Sequence, residues 1–144
     1  MPFKPLTARE IMLLHDMLIA RYGGAAGLRD RALLDGAIAR ADARLAYGDA
    51  APGSLESIIE ATAAVASGIV ASHPFVDGNK RTALMVVRSL LNLNDIEFAP
   101  PRGEVVDAMV GLASGGWSER DFKGWVAKHS TMRDTPSNTP SKPH

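Results

Sequence analysis

The sequence predicts an all-α protein, a compact bundle of about six helices in a single domain. Apolar residues recur at helical spacing in successive segments, and helix-capping or helix-breaking residues separate those segments. Strand patterns are weak, and Ile96-Glu97-Phe98 is the only short candidate. With 144 residues, the chain is long enough to bury a core without disulfides or structural metals.

Local signals delimit the first two helices. Thr7-Ala8-Arg9-Glu10 has the form of a capping box, which opens a helix, and Gly23-Gly24 ends that helix. Asp30 can cap a second helix. The stretch from Tyr47 to Gly53 is predicted to be a loop.

The third and fourth helices flank a short polar loop. Ser54 can cap the third helix, which is rich in Ile, Val and Ala and is therefore expected to be largely buried. Pro74 disfavours the α region for the residue before it, so this helix is predicted to end at His73. The fourth helix is predicted from about Asn79 to Leu93, with Asn94 as its C-terminal stop.

Two further helices and a tail complete the chain. Glu104 to Ala113 is predicted to form a short fifth helix, and Ser118 can cap a sixth. From about Thr131 onward the chain is polar and rich in proline, so it cannot bury enough apolar surface to offset the cost of ordering. We therefore predict a helical domain over residues 1–130 and a disordered tail over residues 131–144.

Composition and charge narrow the class of protein. Basic and acidic residues both number 16, a balance that does not support a non-specific nucleic-acid binder. The absence of cysteine excludes disulfides and thiolate metal sites and is compatible with a reducing cytoplasm. The N-terminus lacks the apolar core of a signal peptide, and the most apolar stretch, Ile58 to Ala71, is shorter than the ~20 residues of a membrane span. We expect a soluble, cytoplasmic protein without a membrane partner.

The loop from His73 to Arg81 carries the residue types that phosphoryl or nucleotidyl transfer requires. His73 lies at the C-terminal end of a buried helix, where the helix macrodipole favours the imidazolium and helps a base to hold its proton. Asp77 is a candidate Mg²⁺ ligand, because Mg²⁺ prefers one or two carboxylates together with phosphate oxygens. Gly78 permits a positive φ angle and close approach of a ligand.

Two cations follow directly in the first turn of the fourth helix. Lys80 and Arg81 oppose the macrodipole there, which is more easily explained if an anion such as phosphate occupies that helix end. Asn79 opens the same turn. Each of these residues also has a structural interpretation, as a helix cap or a solvated charge, and Phe75 is a core residue under either interpretation. The combination, rather than any single residue, favours a functional site.

Two similar-looking sites do not match the sequence. A P-loop requires two glycines with four residues between them and Lys-Ser/Thr directly after the second, whereas Lys80 is preceded by Asn79 and followed by Arg81. A zinc site is not indicated, because the remaining histidines are scattered along the sequence. They are His15, His129 and His144.

The loop resembles the signature of the Fic/Doc superfamily, His-x-Phe-x-Asp/Glu-Gly-Asn-Gly-Arg-x-x-Arg. The matching residues are His73, Phe75, Asp77, Gly78, Asn79 and Arg81. Lys80 stands where most Fic proteins have the second glycine, and Leu84 where they have the second arginine. Both departures resemble the Doc (death-on-curing) branch, whose loop reads Asn-Lys-Arg-Thr-Ala-Leu. The resemblance extends over roughly Thr7 to Lys128.

The resemblance implies the toxin of a type II toxin–antitoxin pair. Most Fic proteins transfer AMP from ATP to a protein hydroxyl, whereas Doc is a kinase that transfers the γ-phosphate to a threonine of elongation factor Tu and stops translation. Lys80 offers a physical reason for transfer of the γ-phosphate in place of AMP. It fills space that a glycine would leave for phosphates, so ATP would bind in the reverse orientation.

The same resemblance assigns roles to the loop residues. It makes His73 the general base and Asp77 the Mg²⁺ ligand. The donors that would bind the phosphates of ATP are Gly78, Asn79, Lys80 and Arg81. The loop from Gly23 to Asp30 is the expected docking site for the protein substrate.

Control by a separate protein is expected. Many Fic proteins inhibit themselves through a Ser/Thr-x-x-x-Glu-Gly/Asn helix, and Thr7 and Ser57 have a glutamate at plus three instead of plus four. The resemblance therefore implies a separate antitoxin of the prevent-host-death type, whose C-terminal segment would lie as an amphipathic helix in an apolar groove.

Three alternatives to the kinase stay open on the sequence. The chain could be a Fic-type AMP transferase, or a catalytically inactive relative that only binds the antitoxin. It could also be a nucleic-acid-binding helical domain with a stripe of Lys80, Arg81 and Arg88, the alternative that the neutral net charge supports least.

Overall fold

The computed structural model describes residues 3–133, and within that range it contains six α-helices and two short strands. All six predicted helices are present, and the all-α class is confirmed. The elements are, in chain order, α1 (Ala8–Tyr22), α2 (Arg31–Tyr47), α3 (Leu55–Ser72), α4 (Asn79–Leu93), β1 (Ile96–Phe98), α5 (Arg102–Ser114), α6 (Glu119–Lys128) and β2 (Ser130–Met132).

The predicted N-terminal caps are confirmed as hydrogen bonds. The Thr7 hydroxyl accepts the Glu10 N–H at 3.1 Å while the Glu10 carboxylate accepts the Thr7 N–H at 2.8 Å, which is the reciprocal pattern of a capping box. Ser118 and Asp121 form a second capping box at α6, whereas Asp30 and Ser54 cap α2 and α3 by accepting a single backbone N–H each. These contacts span two or three residues, so sequence alone can locate them.

Helix α3 is the centre of the molecule. Most of its residues are buried, and it packs against α2, α4, α5 and α6. Gly68 lets α2 approach closely, because a Cβ at this position would lie 2.9 Å from the Ala37 Cα. In the described part of the chain, α3 is also the one helix that is long and apolar enough to cross a membrane, but 72% of it is buried inside the fold, as expected of a core helix.

The strands form a small antiparallel sheet beside α4. Residues Ile96 and Phe98 of β1 pair with Met132 and Ser130 of β2. The short strand expected at residues 96–98 is thus confirmed. Its partner was missed, because β2 is only three residues long, Ser130, Thr131 and Met132, and is too short to show an alternating pattern.

This sheet corrects the predicted boundary of the tail. Thr131 and Met132 belong to β2, and the Arg133 N–H donates to the Asp95 carbonyl at 2.8 Å. The domain therefore extends three residues beyond its predicted end at residue 130. The other residues of the predicted tail, 134–144, lie outside the described range.

Asn94 ends α4, as predicted, but by a different geometry. Its backbone is not left-handed, and the left-handed residue is instead Asp95 with φ 62°. The buried Asn94 amide donates to the Leu90 carbonyl at 2.8 Å and to the Lys4 carbonyl at 2.9 Å. The Asn94 side chain therefore ends α4 and also binds the N-terminal segment around Lys4 to the end of this helix. Helix α5 begins at Arg102, two residues earlier than predicted.

Candidate active site

The loop between α3 and α4, residues 73–78, begins with a strained residue. His73 ends α3 as predicted, and it does so in the left-handed region with φ 53° and ψ 63°. This conformation is uncommon for a residue other than glycine and persists where surrounding contacts enforce it, often at functional sites. Arg29 supplies such contacts, because its guanidinium donates to the carbonyls of His73 and Ser72 at 2.7 and 2.6 Å.

The segment between α1 and α2, residues 23–30, runs along this α3–α4 loop and braces it. The backbone N–H groups of Arg29 and Asp30 both donate to the Pro74 carbonyl, at 2.7 and 3.1 Å. The Val76 N–H donates to the Gly27 carbonyl at 3.0 Å. Residues 23–30, the expected docking site for the protein substrate, thus also hold the α3–α4 loop in place.

Two side chains anchor the α3–α4 loop from below. Phe75 is 2% exposed, as expected for a core residue. The buried Asn79 amide accepts the Phe75 N–H and donates to the Phe75 carbonyl, both at 3.0 Å, and its nitrogen lies 3.4 Å from His73 Nδ1. The Asn79 side chain is therefore committed to the loop, which leaves its backbone N–H as the group that could bind phosphate.

Asp77 carries an exposed carboxylate with a lowered pKa. The Ala25 N–H donates to Oδ2 at 3.0 Å and the Gly78 N–H donates to Oδ1 at 2.8 Å. These two bonds, and to a lesser extent the charge of Arg81, hold the pKa of Asp77 below its ordinary value. The carboxylate is therefore ionised at neutral pH, and each oxygen retains a lone pair for a cation.

The start of α4 is prepared for an anion. Gly78 is left-handed with φ 76°, no side chain caps the helix, and no acidic residue lies in its first turn. Lys80 and Arg81 are exposed there, and the Arg81 guanidinium carbon lies 4.7 Å from the centre of the Tyr22 ring. The free N–H groups of the helix start and the two cations together favour phosphate binding.

All six predicted site residues line one cavity of about 520 Å³. The lining residues are Tyr22, Gly23, Gly24, His73, Val76, Asp77, Gly78, Asn79, Lys80 and Arg81. The sequence predicted Gly23 and Gly24 as the end of α1 and the start of the docking loop, but not as part of this cavity. Gly24 has a further role, because a Cβ there would lie 2.8 Å from Asp77 Oδ2.

The cavity contains one carboxylate and no cluster of metal ligands. Among residues 3–133, no group of three or more His, Cys, Asp or Glu side chains could hold a metal ion. A cation at Asp77 would therefore depend on phosphate oxygens and water for its other ligands, which is the usual situation for Mg²⁺.

His15 is a residue of the site that sequence analysis missed, because only its distance in sequence from the other histidines was considered. It contacts the α3–α4 loop from the core side, with its Nε2 2.8 Å from the Asp77 carbonyl oxygen.

Comparison with known proteins identifies the family. The Fic/DOC family model matches residues 5–91, a range that includes α1, α2, α3 and the whole α3–α4 loop. The chain belongs to the Fic/DOC family. "Protein kinase doc" of Escherichia phage P1 is 34% identical to it over 111 residues, which are 76% of this chain and 82% of that protein. "Toxin Doc" of Mycolicibacterium smegmatis is 36% identical over 78 residues, which are 54% of this chain and 57% of that protein.

These relatives confirm the resemblance to Doc toxins, and one of them is named a kinase, so kinase-type transfer occurs within the family. The two departures from the Fic signature have different surroundings. Lys80 lines the cavity, whereas Leu84 is half-buried and packs against the hydrophobic core. The position of the second Fic arginine therefore contributes no cation to this cavity.

Proposed function

We propose that this Doc-like toxin is a protein kinase that uses Mg²⁺ and ATP to phosphorylate a threonine hydroxyl of a translation factor, elongation factor Tu, and so blocks translation. The observation that supports it most is the meeting of His73, Asp77 and the uncapped start of α4 in one cavity. A base, an ionised carboxylate and an anion site are the parts that phosphoryl transfer uses. The proposal also assigns the protein to the cytoplasm, where translation takes place.

The residues present fit a magnesium ion. Asp77 is ionised, exposed and oriented by two backbone N–H groups. An ion held at this carboxylate would supply charge neutralisation for the phosphates of ATP. Asp77 would hold the ion, and the neighbouring cations Lys80 and Arg81 would hold the phosphates.

Phosphate binding would rest mainly on Lys80 and Arg81 with the free N–H groups of the first turn of α4. Gly78 and Asn79 would contribute less than the sequence suggests, because the Gly78 N–H and the Asn79 amide already have partners inside the loop. The bulk of Lys80, where other Fic proteins have glycine, supports a reversed ATP that presents its γ-phosphate to the acceptor.

The transfer step requires one base. The imidazole of His73 would accept the proton of the threonine hydroxyl as its oxygen forms a bond to the γ-phosphorus. The bond between that phosphorus and the bridging oxygen of the β-phosphate breaks, and ADP leaves with the bonding electron pair. His73 is exposed to the cavity, as an acceptor from another protein requires.

The decisive experiment follows the label from ATP to purified bacterial elongation factor Tu. Label from γ-labelled ATP should appear on a threonine, and His73→Ala and Asp77→Ala should each abolish it. His129→Ala is the matched control, because His129 lies outside the cavity beside Glu104 and should leave labelling intact. Labelling from α-labelled ATP alone would contradict the kinase and establish AMP transfer.

AMP transfer is the second candidate, because six residues of the general Fic signature are present. Lys80→Gly tests why the two activities differ. It should raise the ratio of α-label to γ-label transferred, whereas Lys80→Ala, which keeps a Cβ in the same space, should raise it less. An unchanged ratio in both variants would contradict the role given to Lys80.

The proposed partner is a separate antitoxin of the prevent-host-death type. Exposed apolar pairs one helical turn apart could receive an amphipathic helix, Leu13 with Met17 on α1 and Val106 with Val110 on α5. Expression of the chain alone should arrest growth, and co-expression of the antitoxin should restore growth through a stable complex. An inactive relative that only binds the antitoxin would cause no arrest, and His73→Ala would then change nothing.

A further inference from the structure

His15 is a buried titratable residue that has no part in the proposed transfer step. It lies on α1 with 1% of its surface exposed, and its ring stacks on Phe75 with centres 4.0 Å apart and an interplanar angle of 9°. An apolar aromatic residue could fill the same space and stack on Phe75 at a lower cost of desolvation. The presence of a histidine at this buried position is therefore best explained by a contact of its ring nitrogens.

One polar contact provides that explanation. His15 Nε2 lies 2.8 Å from the Asp77 carbonyl oxygen, and since a carbonyl can only accept, Nε2 carries the proton. The other end of the same peptide unit is the Gly78 N–H, which donates to Asp77 Oδ1 at 2.8 Å. The peptide unit between Asp77 and Gly78 therefore makes two hydrogen bonds. Its carbonyl accepts from His15, and its N–H donates to the Asp77 carboxylate.

This peptide needs an external constraint. Gly78 has φ 76°, a region that glycine enters freely, and without a Cβ it offers little resistance to rotation of the peptide plane. A rotated peptide would withdraw its N–H from Oδ1 and leave the carboxylate with the Ala25 N–H alone. His15 would prevent that rotation by fixing the carbonyl.

We propose that His15 is a positioning residue for the Asp77 carboxylate: its Nε2–H sets the peptide that orients the carboxylate for a divalent cation. This inference rests on the proposed function, because it requires that Asp77 binds the cation accompanying ATP. It concerns the affinity for the cation and not the proton transfer, which is assigned to His73.

Two substitutions separate the hydrogen bond from the stacking. His15→Gln keeps an N–H donor at similar reach and loses the stacked ring, whereas His15→Phe keeps the ring and loses the donor. Isothermal titration with ATP, with and without Mg²⁺, should show an affinity for Mg·ATP about tenfold weaker in His15→Phe, the typical worth of one hydrogen bond. His15→Gln should remain within about twofold of the wild type, because the donor is retained.

The Asp77→Asn background tests that His15 acts through Asp77. His15→Phe should cause no further loss of Mg·ATP affinity there, whereas a general effect on folding would persist. Absence of Mg·ATP binding by the wild type would overturn the proposed function, and the cation role of His15 with it. Equal Mg·ATP affinity of the wild type and a folded His15→Phe would overturn this inference alone.

Hydrogen exchange gives a readout that needs neither ATP nor activity. The Gly78 amide should be protected in the wild type and in His15→Gln, and should exchange about tenfold faster in His15→Phe. If His15→Phe does not fold, the wild-type measurement still tests the hydrogen bond from the Gly78 amide to the Asp77 carboxylate. An unprotected Gly78 amide in the wild type would overturn the proposed arrangement of the peptide.

Discussion

At the scale of single residues, the site depends on groups whose conformation other residues enforce. His73 holds a left-handed backbone at the end of α3, and Arg29 satisfies the carbonyls beside it. The Asp77 carboxylate is ionised, and two backbone N–H groups already fix its orientation. Such preorganisation lowers the cost of binding, because little has to rearrange when the ligand binds.

Gly24 should be indispensable for the position of Asp77. In Gly24→Ala the new Cβ would meet Asp77 Oδ2 at 2.8 Å, so the carboxylate must move and cation-dependent activity should fall about tenfold or more. Gly23→Ala is the matched control, since Gly23 also has a positive φ, 84°, but a Cβ there would meet nothing within 4 Å. Equal losses in Mg²⁺-dependent labelling would show that backbone strain, and not the clash, is responsible.

Asp77 should also contribute to the pH dependence of stability. Its folded-state pKa lies below the ordinary value of 3.8, so its contribution is complete above about that pH and is lost as the pH falls through the folded pKa. Urea unfolding of the wild type and Asp77→Asn without Mg²⁺ should therefore differ by a constant free energy from pH 7 to 5. The difference should shrink below pH 4, and a difference that grows there would contradict the sign of the shift.

At the scale of elements, the first turn of helix α4 lacks the groups that usually stabilise a helix N-terminus. Its first turn has no cap and no acidic residue and carries two cations, Lys80 and Arg81, next to the positive end of the macrodipole. The opposite occurs at α6, where Ser118 and Asp121 form a capping box. The contrast with α6 supports the proposed binding of phosphate at the start of α4.

Replacement of Lys80 by an acidic residue should raise the stability of the free protein and weaken its binding of phosphate. Lys80→Glu should stabilise the free protein by about 0.3–1 kcal/mol, because a negative charge suits a helix N-terminus. It should also remove most of the rise in melting temperature that ATP or inorganic phosphate gives the wild type. Arg88→Glu, an exposed change further along the same helix, controls for net charge. A phosphate-induced rise that survives in Lys80→Glu would contradict an anion site at this turn.

At the scale of the whole molecule, α3 sets the position of the site. It packs against four other helices, and the α3–α4 loop leaves its C-terminal end. The approach of α2 to α3 also fixes where the segment before α2, residues 23–30, meets that loop. Packing far from the cavity therefore determines the geometry inside it.

The close approach of α2 and α3 should be sensitive to one methyl group. Gly68→Ala places a Cβ 2.9 Å from the Ala37 Cα, and overpacking of this kind should destabilise the fold by about 1–3 kcal/mol. Gly36→Ala is the control, because a Cβ at this exposed helical position meets nothing within 4 Å. It should stabilise α2 by roughly 0.5–1 kcal/mol. Thermal unfolding of both variants checks the prediction, and equal effects would contradict the packing argument.

Much of the fold and of the site could be predicted because the deciding contacts are local. Caps at Thr7, Asp30, Ser54 and Ser118 act over two or three residues, and helical periodicity repeats within each segment. The six site residues lie within His73 to Arg81, so any fold that forms this loop brings them together.

What only the tertiary structure decided is how those residues are held. His15 reaches the Asp77 carbonyl from 62 positions away, Ala25 reaches the Asp77 carboxylate from 52, and Arg29 reaches the His73 carbonyl from 44. Strand β2 likewise exists only because β1 lies beside it. No spacing in a sequence encodes such contacts, because they depend on how α1, α2 and α3 pack. The sequence by itself determined which groups could perform the chemistry, and the packing of the helices decided their orientation.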